Sequence, residues 1–207
     1  MLGLAFHPGY ATNREFFLFY TVNSSTAQGA NTRHDRLSRM LTSAEDPNLA
    51  DPSTEVILIE QQDDASNHNA GDLHFGPDGY LYVAVGDEGS GNDSLQNSQR
   101  IDRDFFSTIL RIDVDERPEN LPPNPHPANQ KSPNAPIPYR IPIDNPWVGA
   151  TQFNGIPVDP DAVRTEFYAV GLRNPLAVQL RSAHRRTLRP RCRARCLRRN
   201  RSSEEGW

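Results

Sequence analysis

The sequence is short of cysteine, of lysine and of long apolar runs. Its only cysteines, Cys192 and Cys196, fall near the end of 207 residues. The preceding body therefore offers no thiol nucleophile and carries no record of redox compartment. The C-x-x-x-C pair alone is weak ground for metal or redox chemistry. No stretch of 18 apolar residues occurs, which gives no transmembrane helix from sequence. The opening M-L-G-L-A-F-H-P has no basic region and too short an apolar core for a secretory signal, and it starts directly on an apolar strand. A G-x-S-x-G elbow and a phosphate-cradling glycine loop are also missing, so nucleophilic catalysis has little support.

Charge is unevenly placed. Residues 1–180 hold 12 of the 22 basic residues and 24 of the 26 acidic ones, giving −12; residues 181–207 hold ten Arg against Glu204 and Glu205, giving +8. Such an Arg cluster invites a nucleic-acid reading, because it would neutralise phosphates. A solvated, disordered tail is the plainer reading. The segment lacks apolar periodicity, breaks abruptly with the composition before it, and follows a body with Lys131 as its only lysine. The reading adopted here is a shifted coding frame, since Arg-rich coding read out of frame yields Arg, Pro, Cys and Ser. No nucleic-acid partner is expected.

A hydrophobic content of 36%, with 18 Pro and 13 Gly, suits a loop-rich all-β chain better than a helical bundle. Strands are predicted at 2–6, 16–22, 36–41, 56–59, 72–75, 80–85, 109–114 and 166–171, from short aromatic or β-branched runs. Gly76-Pro77-Asp78-Gly79 is a turn signal between two of them. Residues 46–54 read as a connection. Residues 98–106 read as the one helical turn. Residues 118–146, with ten prolines, read as a long surface loop. Many short strands at 8–15-residue spacing suggest a sandwich, barrel or propeller.

Among candidate site residues, His68 sits in N-H-N-A-G, a loop of small polar residues that a ligand could reach. Read alone it is as well explained as a turn-capping histidine. Gly86-Asp87-Glu88-Gly89 superficially resembles a calcium loop but lacks EF-hand spacing, and reads as a solvated turn. Arg173-Asn174-Pro175 places a planar donor fork before a residue that fixes the chain.

Five motifs then occur in one order: L-G-L-A-F-H-P-G-Y-A-T-N at 2–13, H-N-A-G-D-L-H-F-G-P-D-G-Y-L-Y-V-A-V-G-D at 68–87, I-L-R-I-D-V-D at 109–115, I-P-I-D-N-P-W at 141–147 and Y-A-V-G-L-R-N-P at 168–175. Together they closely resemble the soluble glucose/sorbosone dehydrogenase family, quinoproteins that use pyrroloquinoline quinone, over about residues 2–178. The resemblance implies a six-bladed β-propeller with the quinone at the top of its axis and calcium holding it. It implies oxidation of the anomeric hydroxyl of an aldose to a lactone, with electrons passed on to an acceptor, in the periplasm or outside the cell. By the same likeness His68 is the general base, and Arg173 and Asn174 contact the quinone. His7 and His74 match the pattern without an assigned role.

Departures set further expectations. A Gln expected before the first motif, and the calcium loop and later cofactor contacts expected after R-N-P, match nothing in this sequence, so no metal ligand is assigned. The reading is therefore all-β: residues 1–178 as about the first half of a propeller, and 179–207 as an irregular basic tail. Such a half would leave strand edges open; it is expected to bind quinone weakly or not at all, and to be inactive on its own. The alternative is a non-catalytic propeller that binds a protein or carbohydrate partner, as hedgehog-interacting-type relatives do.

Overall fold

The computed structural model describes residues 1–25, 31–130, 132–180 and 191–192. It is nearly all-β. The strands, in chain order, are β1 (Gly3–Phe6), β2 (Glu15–Ser25), β3 (Asn31–Thr42), β4 (Ala50–Gln62), β5 (Ala70–Phe75), β6 (Leu81–Val85), β7 (Thr108–Ile112), β8 (Gln152–Phe153), β9 (Ile156–Pro157), β10 (Phe167–Val170), β11 (Val178–Gln179) and β12 (Arg191–Cys192). The single helix described is one turn, α1 (Tyr10–Asn13).

Two four-stranded antiparallel sheets form in meander order. The first runs β1-β2-β3-β4 and the second β5-β6-β7-β10. Aromatic and β-branched runs explain their central strands. L-Y-V-A-V in β6 and T-I-L-R-I in β7 are buried at every position, as strands covered on both faces must be. One core cluster joins Phe17, Leu37 and Leu58 of the first sheet to Leu73, Val83, Leu110 and Phe167 of the second. A second cluster, with Ala84, Ile109, Leu172 and Val178, covers the other face of the second sheet. The sheets therefore stack face to face, as propeller blades do. β5 packs against β1 and β2 of the first sheet and against β11. The fold is a partial β-propeller with open sheets.

Several elements differ from the sequence reading. β4 begins at Ala50 and absorbs most of the expected connection at 46–54, because edge pairing to β3 extends through Leu41↔Asp51 and Thr42↔Ala50. No helix forms at 98–106. There the backbone makes tertiary bonds instead: the Phe105 N–H donates to Gln61 Oε1 (2.9 Å), and the Ile101 carbonyl accepts from Arg164 (2.6 Å). The segment at 118–146 is irregular, as expected, but parts of it, such as Ala128, Asn129, Tyr139 and Ile141, are buried. Tyr139 Oη donates to Glu166 Oε1 (2.7 Å) and Asn129 Nδ2 donates to the same oxygen (3.0 Å), all inside the protein. That polar lock ties the excursion to the blade. His7 caps a turn through Nδ1, which accepts from the Gly9 N–H (2.9 Å), while His74 pairs with Asp72 at the surface. The expected basic tail lies outside the described residues beyond Leu180, apart from β12, which pairs with β11.

Candidate active site

In the second blade β5 and β7 start, and β6 and β10 finish, at the same end. Antiparallel pairing therefore gathers three loops there: 63–69, 86–107 and 171–177. His68 lies in the first and Arg173 and Asn174 in the last. Although distant in sequence, the expected site residues share one end of the blade.

What joins them is Asp87. His68 Nδ1 lies 2.7 Å from Asp87 Oδ1, and Arg173 Nη1 donates to Asp87 Oδ2 at 2.9 Å. The Gly89 N–H adds a third bond to Oδ1 (3.0 Å), and the Asp87 N–H itself donates to the Arg173 carbonyl (2.9 Å). Asp87 is 3% exposed. A carboxylate can only accept, so His68 carries a proton on Nδ1, and in the neutral imidazole Nε2 is the bare lone pair. Among the described residues no group bonds Nε2. Arg173 Nη2 also holds the Ser90 carbonyl (3.0 Å), leaving N–H donors to spare. Asn174 Oδ1 is buried and has no partner among the described residues.

The reading of 86–89 as a solvated turn is therefore corrected. Asp87 and Glu88 are both buried: Glu88 accepts from the Asp64 N–H (2.8 Å) and from Asn97 Nδ2 (2.9 Å). Burial, rather than a neighbouring charge, is the main force raising the Glu88 carboxyl.

Local backbone shapes the site. Gly86 allows a close crossing, since a Cβ there would lie 1.4 Å from the His68 carbonyl oxygen. Gly171, at φ 84°, turns the chain over the blade end so that its N–H and that of Leu172 both reach the Ser107 carbonyl. His68 itself has φ 64°, a left-handed conformation uncommon for a non-glycine residue.

Asn69 anchors this strained loop. Its amide donates to Asp35 Oδ1 (3.0 Å) and to Asp63 Oδ2. Burial first, and the nearby Asp63 charge second, push the Asp35 carboxyl up to about 7. Asp63 is raised as well, again mainly by burial, with Arg33 opposing. Nothing in the sequence singles out Asp35, which sits mid-strand between His34 and Arg36.

These shifts predict a pH dependence. An acid whose folded pKa exceeds its unfolded value stabilises the fold at low pH and loses that contribution as pH rises through the folded pKa. From about pH 4 to about 7 the unfolded chain ionises Asp35 while the folded chain keeps its proton. Stability should fall across this window by roughly 4 kcal/mol from this group, at about 1.4 kcal/mol per unit. Thermal melts of Asp35→Asn should show a much flatter fall between about pH 4 and 7. Equal slopes in both proteins would disprove the assignment.

Residues 1–136 match the glucose / sorbosone dehydrogenase family. The chain belongs to this family. It is 32% identical over 180 residues to "Hedgehog-interacting protein" of Mus musculus, covering 84% of this chain and 21% of that protein. It is 30% identical to "HIPL1 protein" of Arabidopsis thaliana, covering 84% and 27%. Its fold is similar to that of a soluble aldose sugar dehydrogenase from Escherichia coli in the apo-form, with TM-score 0.55, 20% identity, 86% of this chain and 39% of the other. A second structure, a glucose dehydrogenase, superposes with TM-score 0.54 and 21% identity over 86% and 42%. The chain thus spans about a quarter of these relatives and some two fifths of these structures. Among the described residues no helix is long and apolar enough to cross a membrane.

Proposed function

We propose that this chain carries the general-base side of a sugar-oxidising site, with aldose as substrate and pyrroloquinoline quinone as cofactor. One observation carries the reading: His68 is fixed by Asp87 through Nδ1 while Nε2 stays uncommitted, at the position the family resemblance gives to the base. Nε2 would take the proton of the anomeric hydroxyl. The Asp87 carboxylate would stabilise the imidazolium that forms, with Arg173 holding that carboxylate in place. A bound quinone would supply the hydride acceptor that lets the anomeric carbon be oxidised to a lactone.

The residues present fit such a group. Arg173 retains free donors for developing negative charge, and Asn174 Oδ1 awaits a donor. Calcium is implied by the resemblance alone: among the described residues no three His, Cys, Asp or Glu side chains are placed to hold a metal.

The test is aldose-dependent dye reduction with quinone and calcium added, in a whole propeller that carries this segment, alongside quinone retention in equilibrium dialysis. His68→Gln should lower kcat by about 10²–10⁴, the usual contribution of a positioned base, with quinone retention unchanged. Dye reduction unaltered in His68→Gln would overturn the reading. Retained quinone without dye reduction would favour the second reading, a non-catalytic propeller that binds a partner, which the similarity to Hedgehog-interacting protein supports.

A further inference from the structure

A cleft of about 910 Å³ adjoins this loop cluster, with Glu88, the neighbour of Asp87 in the chain, in its lining. It is bounded by the outer strands β3 and β4, the 86–107 loop and the excursion after β7, and none of His68, Asp87, Arg173 or Asn174 lines it. Its size matches that of small-molecule sites.

Two histidines of its lining have tautomers fixed in opposite senses. His34 Nδ1 lies 3.0 Å from the Thr32 carbonyl, so Nδ1 carries the proton and Nε2 is an acceptor. His126 Nδ1 accepts from the Ala128 N–H (3.1 Å), so its proton is on Nε2, which is a donor. Burial, with Arg164 nearby, pushes the His126 imidazole down to about 4, so it stays neutral at ordinary pH. The cations of the lining are already paired: Arg36 with Glu55 and Glu60, and Arg103 with Asp104. Glu88 is held by Asn97 and the Asp64 N–H. Ile57, Leu95, Phe106 and Pro127 supply apolar surface.

Among the described lining residues, Arg36 and Arg103 stand against Glu60, Asp64, Glu88 and Asp104, so the cleft suits neither a phosphate nor a carboxylate ligand. Neutral donors and acceptors set beside apolar patches match a ligand whose hydroxyls both donate and accept, and whose C–H faces are apolar. We infer that this cleft between the two blades is a binding site for a neutral polyhydroxylated ligand, a sugar or short oligosaccharide, separate from the His68 site. The inference does not rest on the redox reading.

The experiment titrates the full chain with methyl glucoside and methyl maltoside by calorimetry and ligand-observed NMR. Their anomeric hydroxyls are blocked, so oxidation cannot contribute. Binding should weaken about tenfold in His126→Ala, the worth of one hydrogen bond. It should also weaken in Leu95→Trp, which narrows the cleft from the 86–107 loop, and remain unchanged in His74→Ala, an exposed histidine outside the lining. Circular dichroism and melting temperature check that each variant folds. Absence of glycoside binding would overturn the inference. So would binding that survives both cleft variants or is lost in His74→Ala, or stronger binding of sulfate than of either glycoside.

Discussion

Asp87→Asn is expected to lower aldose oxidation by about 10²–10⁴, as much as losing the base itself. An asparagine has one carbonyl acceptor where the carboxylate offers two oxygens. It cannot hold His68 Nδ1 and Arg173 Nη1 together, and its NH2 group would face one of them. With the tautomer no longer fixed, the proton is free to move to Nε2, the atom proposed to act as base. The imidazole ¹⁵N spectrum provides a readout independent of turnover: the protonated Nδ1 signal of the native protein should give way to a tautomer mixture. A variant that keeps both the native spectrum and full rate would show that Asp87 does not position His68.

Gly86→Ala carries the largest expected loss of stability. The added methyl would lie 1.4 Å from the His68 carbonyl oxygen and 2.5 Å from its carbonyl carbon, and backbone atoms cannot turn aside as a side chain can. Overpacking of this kind costs about 1–3 kcal/mol, and a backbone clash belongs at the upper end. For a chain of this size that corresponds to a melting temperature lower by roughly 6–12 °C. The strand bonds of Gly86 and Asp87 to Ser107 and Arg173 should loosen as well. A variant melting within a degree or so of the native protein would show that the loop can shift without cost.

Much of the fold was legible in the sequence because strands alternate or fill with apolar residues over short runs. The β5–β6 hairpin, its Gly-Pro-Asp-Gly turn and β7 fall within a residue or two of expectation. The 98–106 segment was not legible. Its buried Ile101, Phe105 and Phe106 mimic a helical stripe, but their backbone groups are satisfied by Gln61 and Arg164, which are far away in sequence. Asp35 was equally hidden, because the burial that shifts it comes from a neighbouring loop.

The site shows the same division at finer scale. Sequence by itself determined the residue types: a histidine in a small-residue loop, an Arg-Asn pair before proline, and a hairpin between them. Counting outward from the turn, with Phe75 opposite Leu81 and Leu73 opposite Val83, would set His68 opposite Glu88. The register shifts between Ala70 and Leu73, so that Ala70 pairs with Val85 and the continued ladder sets His68 opposite Asp87. Such a bulge adds one unpaired residue to a strand and re-aims the side chains beyond it. Only the tertiary structure decided that shift, because a bulge is stabilised by contacts outside its strand. Gly71 in β5 fits against Leu2 and Phe19 of the neighbouring blade, and no pattern within the hairpin specifies that fit.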